Sequence, residues 1–190
     1  MKSLIYKDWG IRAMLAGKKP MTRRLMNPQP PEGATFWSMG QNLDTKVFGA
    51  LFNYGNLTKF IKCPFSIGDI FYAKEAWQYY QSGIGIAYRA TADDCRYKIT
   101  GNKWRSPLHL REQDARIFRQ MTNIKAQQLQ NISEEDAIKE GVMTISSDST
   151  LPYFAFQECI IDIHGPEVWD KNLWVWGYEY TEVERSCGGH

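Results

Sequence analysis

The run Trp174-Val175-Trp176-Gly177-Tyr178-Glu179-Tyr180-Thr181-Glu182-Val183 most constrains what this chain can fold into. Successive strand side chains point to opposite faces, so Trp174, Trp176, Tyr178 and Tyr180 share one face. Four large rings on one face need an apolar interior on that side, which selects a sheet-based core over a helical bundle. Aromatic rings at this spacing also offer surfaces on which nucleobases stack, but alternation within a strand favours the interior.

Shorter signals arrange themselves around that strand. Leu4–Tyr6 reads as a strand, and Asp8 as the N-cap of a helix to about Ala16, with Ile11, Met14 and Leu15 on one face and Gly17 just past its end. Ile70–Trp77 and Gly85–Ala90 read as neighbouring antiparallel strands divided by Gln81-Ser82-Gly83. Arg116–Gln128 is a long extended candidate. Ser133 followed by Glu134, Glu135 and Asp136 opens a short capped helix, and Tyr153–His164 suggests another. Asn27–Lys62 carries Pro28, Pro30, Pro31, Gly33, Gly40, Gly49 and Gly55, and reads as a long loop with little regular structure. The expectation is one α+β domain over residues 1–184: a small β-barrel with two or three short helices, a loop-rich insertion at 29–62 and a flexible tail at 185–190.

Composition narrows the class further. With 43% apolar, 14% aromatic and 23% charged residues, the 190-residue chain is neither disordered, collagen-like nor a coiled coil. No apolar run approaches the roughly 20 residues that span a bilayer, and Lys2, Lys7, Asp8 and Arg12 occupy the place of a secretory apolar core, so a cytoplasmic protein without membrane contact is expected. Cys63, Cys95, Cys159 and Cys187 are scattered and apart from the histidines, which reads as four free thiols and no metal site or cofactor. Lys plus Arg at 23 against Asp plus Glu at 21 gives 23 − 21 = +2, too little for binding nucleic acid by overall charge alone. Oligomeric state is not legible.

Several motifs have plain structural explanations. Gly83-Ile84-Gly85 lacks the third glycine of a dinucleotide fingerprint, since position 88 is Tyr. His109 after Ser106-Pro107 fits a hydrogen-bonding turn residue as well as a base. Arg105, Arg111, Arg116 and Arg119 could bind phosphate, but Glu112 and Asp114 are interleaved with them, so a solvated mixed-charge face explains them equally well. Gly17-Lys18-Lys19-Pro20-Met21-Thr22-Arg23-Arg24 differs: cations past a helix end suit its dipole, but that does not account for Thr22 and the paired arginines.

Gly17-x-Lys19-x-x-Thr22-x-Arg24 resembles the G-x-K-x-x-[TE]-x-R signature of ASCH domains, small barrels similar to the PUA RNA-binding fold. Gly68-Asp69-Ile70-Phe71 with Lys74-Glu75-Ala76-Trp77 resembles the strand G-D-x-L/I-x-V-x-E-x-W of that family. The stretch from Trp104 through His109 to Ala137, with the ending Trp169 to Trp176, is similar to longer ASCH proteins of bacteria and their phages. The likeness leaves out only about Gln29–Lys62 and the tail. It implies a PUA-like barrel and, in one bacterial branch, a hydrolase (amidohydrolase) that converts N4-acetylcytidine to cytidine and acetate with a Lys, a Thr and a Glu. Those positions fall on Lys19, Thr22 and Glu75. Arg23, Arg24, Trp77 and His109 become substrate- or phosphate-binding candidates. On the residues themselves, Lys19 is a candidate base, Thr22 a nucleophile, and Glu75 a proton shuttle or base-orienting acceptor, while Arg24 supplies charge to an oxyanion or phosphate. The alternative partner is RNA: a non-catalytic RNA-binding module, in which Lys19 and Glu75 are an ion pair and Thr22 a turn hydroxyl.

Overall fold

The computed structural model describes residues 1–42, 47–94, 103–142 and 151–184. Its order is β1 (Lys2–Ile5), α1 (Asp8–Leu15), β2 (Met21–Leu25), β3 (Thr35–Gln41), β4 (Phe48–Tyr54), β5 (Leu57–Lys62), β6 (Ile70–Lys74), β7 (Trp77–Tyr79), β8 (Ile86–Tyr88), β9 (Phe118–Gln128), α2 (Glu134–Lys139), α3 (Pro152–His164), α4 (Pro166–Asp170) and β10 (Trp174–Glu182). The protein is α+β. Five strands form one sheet in the order β1-β6-β9-β10-β2, in which only β1 and β6 run parallel. Strands β3, β4 and β5 form an antiparallel meander, and β7 pairs with β8.

The aromatic strand organises the interior as its alternation requires. Trp176, Tyr178 and Tyr180 are buried and Trp174 half-buried, while Val175, on the opposite face, is buried among residues of α2, α3 and α4. One sheet face therefore lies against a core with Phe71, Phe52 and Ile61, and the other is covered by helices. No helix among the described residues is long and apolar enough to cross a membrane.

Three expectations change. The segment expected to be a loop carries three strands, β3, β4 and β5: Ala50 and Phe52 of β4 and Ile61 of β5 are buried in the main core, and Phe52 meets Trp174 edge-to-face at 4.8 Å. The meander supplies the second wall of the interior that the aromatic strand requires. The strand expected over Ile70–Trp77 is two, because the chain leaves the five-stranded sheet after Lys74 and Trp77 begins the pairing with β8. Four α-helices lie among the described residues, against the two or three expected. The strand order gives an open sheet with β1 and β2 at its edges. Cys95, Cys187 and the expected tail at 185–190 lie outside the described residues; Cys63 and Cys159 are free and buried.

Candidate functional site

The site begins at the end of α1. Lys18 N–H donates to Ala13 O at 2.8 Å and Gly17 N–H to Met14 O at 3.1 Å, with Gly17 at φ +70°, the paired bonds of a Schellman termination. Gly17 therefore ends the helix as its position suggests. Asp8 is the first helical residue and Lys7 the N-cap, one position from expectation. The termination leaves Lys18 exposed and turns Lys19 inward, where it is buried.

Lys19 Nζ donates to Glu140 Oε2 at 2.7 Å and to the Glu140 carbonyl at 2.5 Å, and stands 5.3 Å from the centre of the Trp9 ring. Glu140 also accepts from Arg23 Nη1 at 3.2 Å. Arg23 Nη2 reaches Asp136 Oδ2 at 2.6 Å, and Lys125 Nζ meets the same oxygen at 2.5 Å. Two cations, Lys19 and Arg23, thus share one buried carboxylate, and Asp136 anchors the outer end of the network. Burial lowers the Lys19 pKa below 10.5, although Glu140 pulls it upward. At Asp136 burial alone would raise the pKa, but Lys125 and Arg23 outweigh it and the carboxyl sits below 3.8.

The elements that place Glu140 are short and specific. Ser133 Oγ accepts the Asp136 N–H at 3.1 Å and caps α2, as its sequence suggests. The helix ends at Glu140 and Gly141, the latter at φ +76°. A Cβ on Gly141 would lie 2.9 Å from the Ala13 Cβ and 3.2 Å from the Lys19 Cβ, so this glycine lets α2 approach α1 and delivers the carboxylate to the amine.

On β2, Thr22 is paired with Tyr178, Arg23 with Gly177 and Arg24 with Trp176. Thr22 and Arg24 therefore share a face and Arg23 takes the other. As β2 is an edge strand, all three line one cavity of about 320 Å³ with Lys19, Glu140, Trp9 and His164. Thr22 is buried, and its hydroxyl makes no side-chain hydrogen bond among the described residues. Cys159 lines the cavity too, but burial pushes its thiol up to about 11, which keeps it protonated near neutral pH.

No protein-family model, curated protein or solved structure matches this chain. The site's chemistry therefore follows from its own atoms. Lys19, Thr22, Arg23 and Arg24 are brought together; Glu75, Trp77 and His109 are not among the residues lining their cavity. Glu75 is fully buried in a bidentate pair with Arg116, with Nε and Nη2 each at 2.8 Å from its oxygens. Burial holds its carboxyl above 4.5 in spite of Arg116. The ion pair expected between Lys19 and Glu75 is replaced by two pairs, Lys19 with Glu140 and Glu75 with Arg116. Trp77 is buried in a separate cluster with Tyr72 and Leu110, under the Arg105 guanidinium at 5.0 Å. His109 is exposed in a turn capped by Ser106, which suits the turn-residue reading.

Glu140 and His164 are the members that sequence reasoning missed. A signal for Glu140 existed: an acid at the C-terminal end of a short helix opposes the helix dipole, so its presence there calls for a cation nearby. His164 offers no such signal, since a histidine at a helix end before Gly165-Pro166 is where helix statistics place it.

Proposed function

We propose that this cavity is the active site of an amidohydrolase for an acylated pyrimidine nucleoside such as N4-acetylcytidine, and that the chain is an ASCH-type protein whose open sheet and meander correspond to a PUA-like barrel. The observation that carries the reading is the pairing, in one cavity, of a hydroxyl without a side-chain hydrogen bond among the described residues with a buried amine of lowered pKa. The volume, about 320 Å³, falls at the small end of small-molecule sites, typically about 300–1,000 Å³, and suits a nucleoside.

In the proposed reaction Lys19 first gives up a proton, which its lowered pKa favours, and its amine then takes the hydroxyl proton as Thr22 Oγ attacks the acetyl carbonyl. The carbonyl electron pair becomes an oxyanion, and its collapse breaks the C–N bond. Lys19 returns the proton to the departing exocyclic nitrogen, which leaves as the amine of cytidine. Water then cleaves the threonyl ester, giving acetate and restoring Thr22. Glu140, in contact with Lys19, is the carboxylate of this arrangement and takes the place expected of Glu75. It steadies the ammonium form between the two proton transfers.

The test is chromatographic detection of cytidine released from N4-acetylcytidine. Wild-type protein is expected to turn over, and Thr22→Ala and Lys19→Ala each to lower kcat about 100-fold or more, the usual contribution of a positioned nucleophile or base. Glu140→Gln is expected to lower kcat while Glu75→Gln spares it. No turnover by the wild type at high enzyme concentration sinks the hydrolase reading and favours the RNA-binding one, which a steep loss of RNA affinity with rising salt then checks.

A further inference from the structure

The cations of the cavity are not equally balanced. Lys19 and Arg23 meet Glu140, Lys7 meets Asp162 at 2.5 Å, and Arg89 Nε meets Asp8 at 2.6 Å. Arg24 meets no carboxylate among the described residues. Its Nη2 donates to the Ile5 carbonyl at 2.6 Å, its guanidinium lies over the Tyr6 ring at 4.8 Å, and its Nε is buried with no hydrogen-bond partner. A guanidinium that lines the cavity with no carboxylate against it, and with one buried N–H lacking an acceptor, is costly to keep and leaves its charge available to an anion.

His164, on the last turn of α3, lines the same cavity. Its surroundings are Arg24 from β2, Lys7 from the start of α1 with its partner Asp162, and Arg89 from the turn after β8; Lys19, Arg23 and Glu140 complete the cavity's charged groups. Burial, then Arg24 and Lys7, hold the imidazole below 6.5. Near neutral pH this end of the cavity therefore presents a guanidinium and a neutral imidazole, and an incoming anion raises the imidazole pKa so that it takes up a proton from solvent.

We propose that Arg24 and His164 form an anion subsite for a phosphomonoester, so that the site takes a nucleoside monophosphate in preference to the free nucleoside. The nucleoside portion rests on the function proposed above; the anion subsite does not. A phosphomonoester fits because its several acceptor oxygens can meet the cavity-lining edge of the Arg24 guanidinium and the imidazolium together, with Lys7 and Arg89 adding positive potential at the mouth. The base and sugar then extend toward Thr22 and Lys19.

The test is calorimetric binding of cytidine 5′-monophosphate, cytidine and inorganic phosphate to the full chain, beside an NMR titration of His164, one of three histidines in the sequence. The monophosphate is expected to bind about tenfold or more tighter than cytidine, the scale of one charge-assisted hydrogen bond, and Arg24→Gln to remove that advantage while Arg24→Lys restores part of it. The His164 midpoint is expected to rise when the monophosphate saturates the protein, and binding to weaken as pH rises through that midpoint. Because this shift is read in the wild type, it holds even if an Arg24 variant fails to fold. Equal affinity for cytidine and its monophosphate, an unmoved His164 midpoint, or binding of none of the three ligands overturns the subsite. Phosphate bound through Arg24 with no affinity for either cytidine compound supports the anion subsite and removes the nucleoside reading. Turnover of N4-acetylcytidine with no preference for phosphate does the reverse.

Discussion

At the scale of single residues, Glu140 sets the electrostatics of the site because two buried cations depend on it. Replacing it with Gln leaves Lys19 and Arg23 facing a neutral amide in a desolvated place. Breaking one side of a buried pair costs about 3–5 kcal/mol, so Glu140→Gln is expected to lose stability on that scale, measured by urea unfolding at neutral pH. The pH dependence has a definite sign. The Lys19 pKa is already below its unfolded value of 10.5, and loss of Glu140 lowers it further. The folded state then binds fewer protons than the unfolded one over a wider window below 10.5, and stability rises with pH across that window. The deficit of the variant relative to wild type is therefore expected to shrink as pH rises toward 10.5. A deficit constant across that range would show that Lys19 does not shed its proton there.

The scale of elements explains how the carboxylate reaches the amine. Helix α1 ends in a Schellman turn at Gly17, and α2 ends at Gly141 against it. Both glycines have positive φ, but a Cβ at Gly17 meets nothing within 4 Å, whereas one at Gly141 meets the Ala13 Cβ at 2.9 Å. Gly17→Ala is thus expected to cost backbone strain alone, about 1–2 kcal/mol. Gly141→Ala should cost that plus about 1–3 kcal/mol of overpacking, with a drop in turnover as Glu140 withdraws. Thermal unfolding and the cytidine-release assay on both variants check the difference, and equal losses would contradict the contact. These helix ends were legible because caps are local: Ser133, Gly17 and the Lys19–Thr22 spacing all lie within a few residues. The meander was not, because its proline-rich approach masked a two-residue Gly55-Asn56 turn between paired Tyr54 and Leu57, and because Ala50, Phe52 and Ile61 count as core only once Trp174 and Trp176 lie against them. Nor was the partner of Lys19, which lies 121 residues away in a helix that sequence reading treated only as structure.

At the scale of the whole molecule, the sheet's edges and its helical cover divide the charged groups into two systems, and these respond to acid with opposite sign. Around Arg23, Asp136 is held below 3.8 by Lys125 and Arg23 against the cost of burial. The stability it contributes is present above its unfolded pKa and is lost as pH falls through the folded value. On the other side Glu75, buried against Arg116, sits above 4.5 because burial outweighs the pair. Its contribution is present below 4.5 and is lost as pH rises through the raised folded value. Wild-type stability between mildly and strongly acidic pH is the sum of these opposed slopes. Asp136→Asn is expected to flatten the loss of stability on going below about pH 4, whereas Glu75→Gln is expected to flatten the loss on going above about pH 4.5. Urea midpoints across that range, read as slopes and not as absolute stabilities, separate the two. If both substitutions change the slope with the same sign, one of the two assignments is wrong, and it is that of the residue whose variant moves against its expected sign.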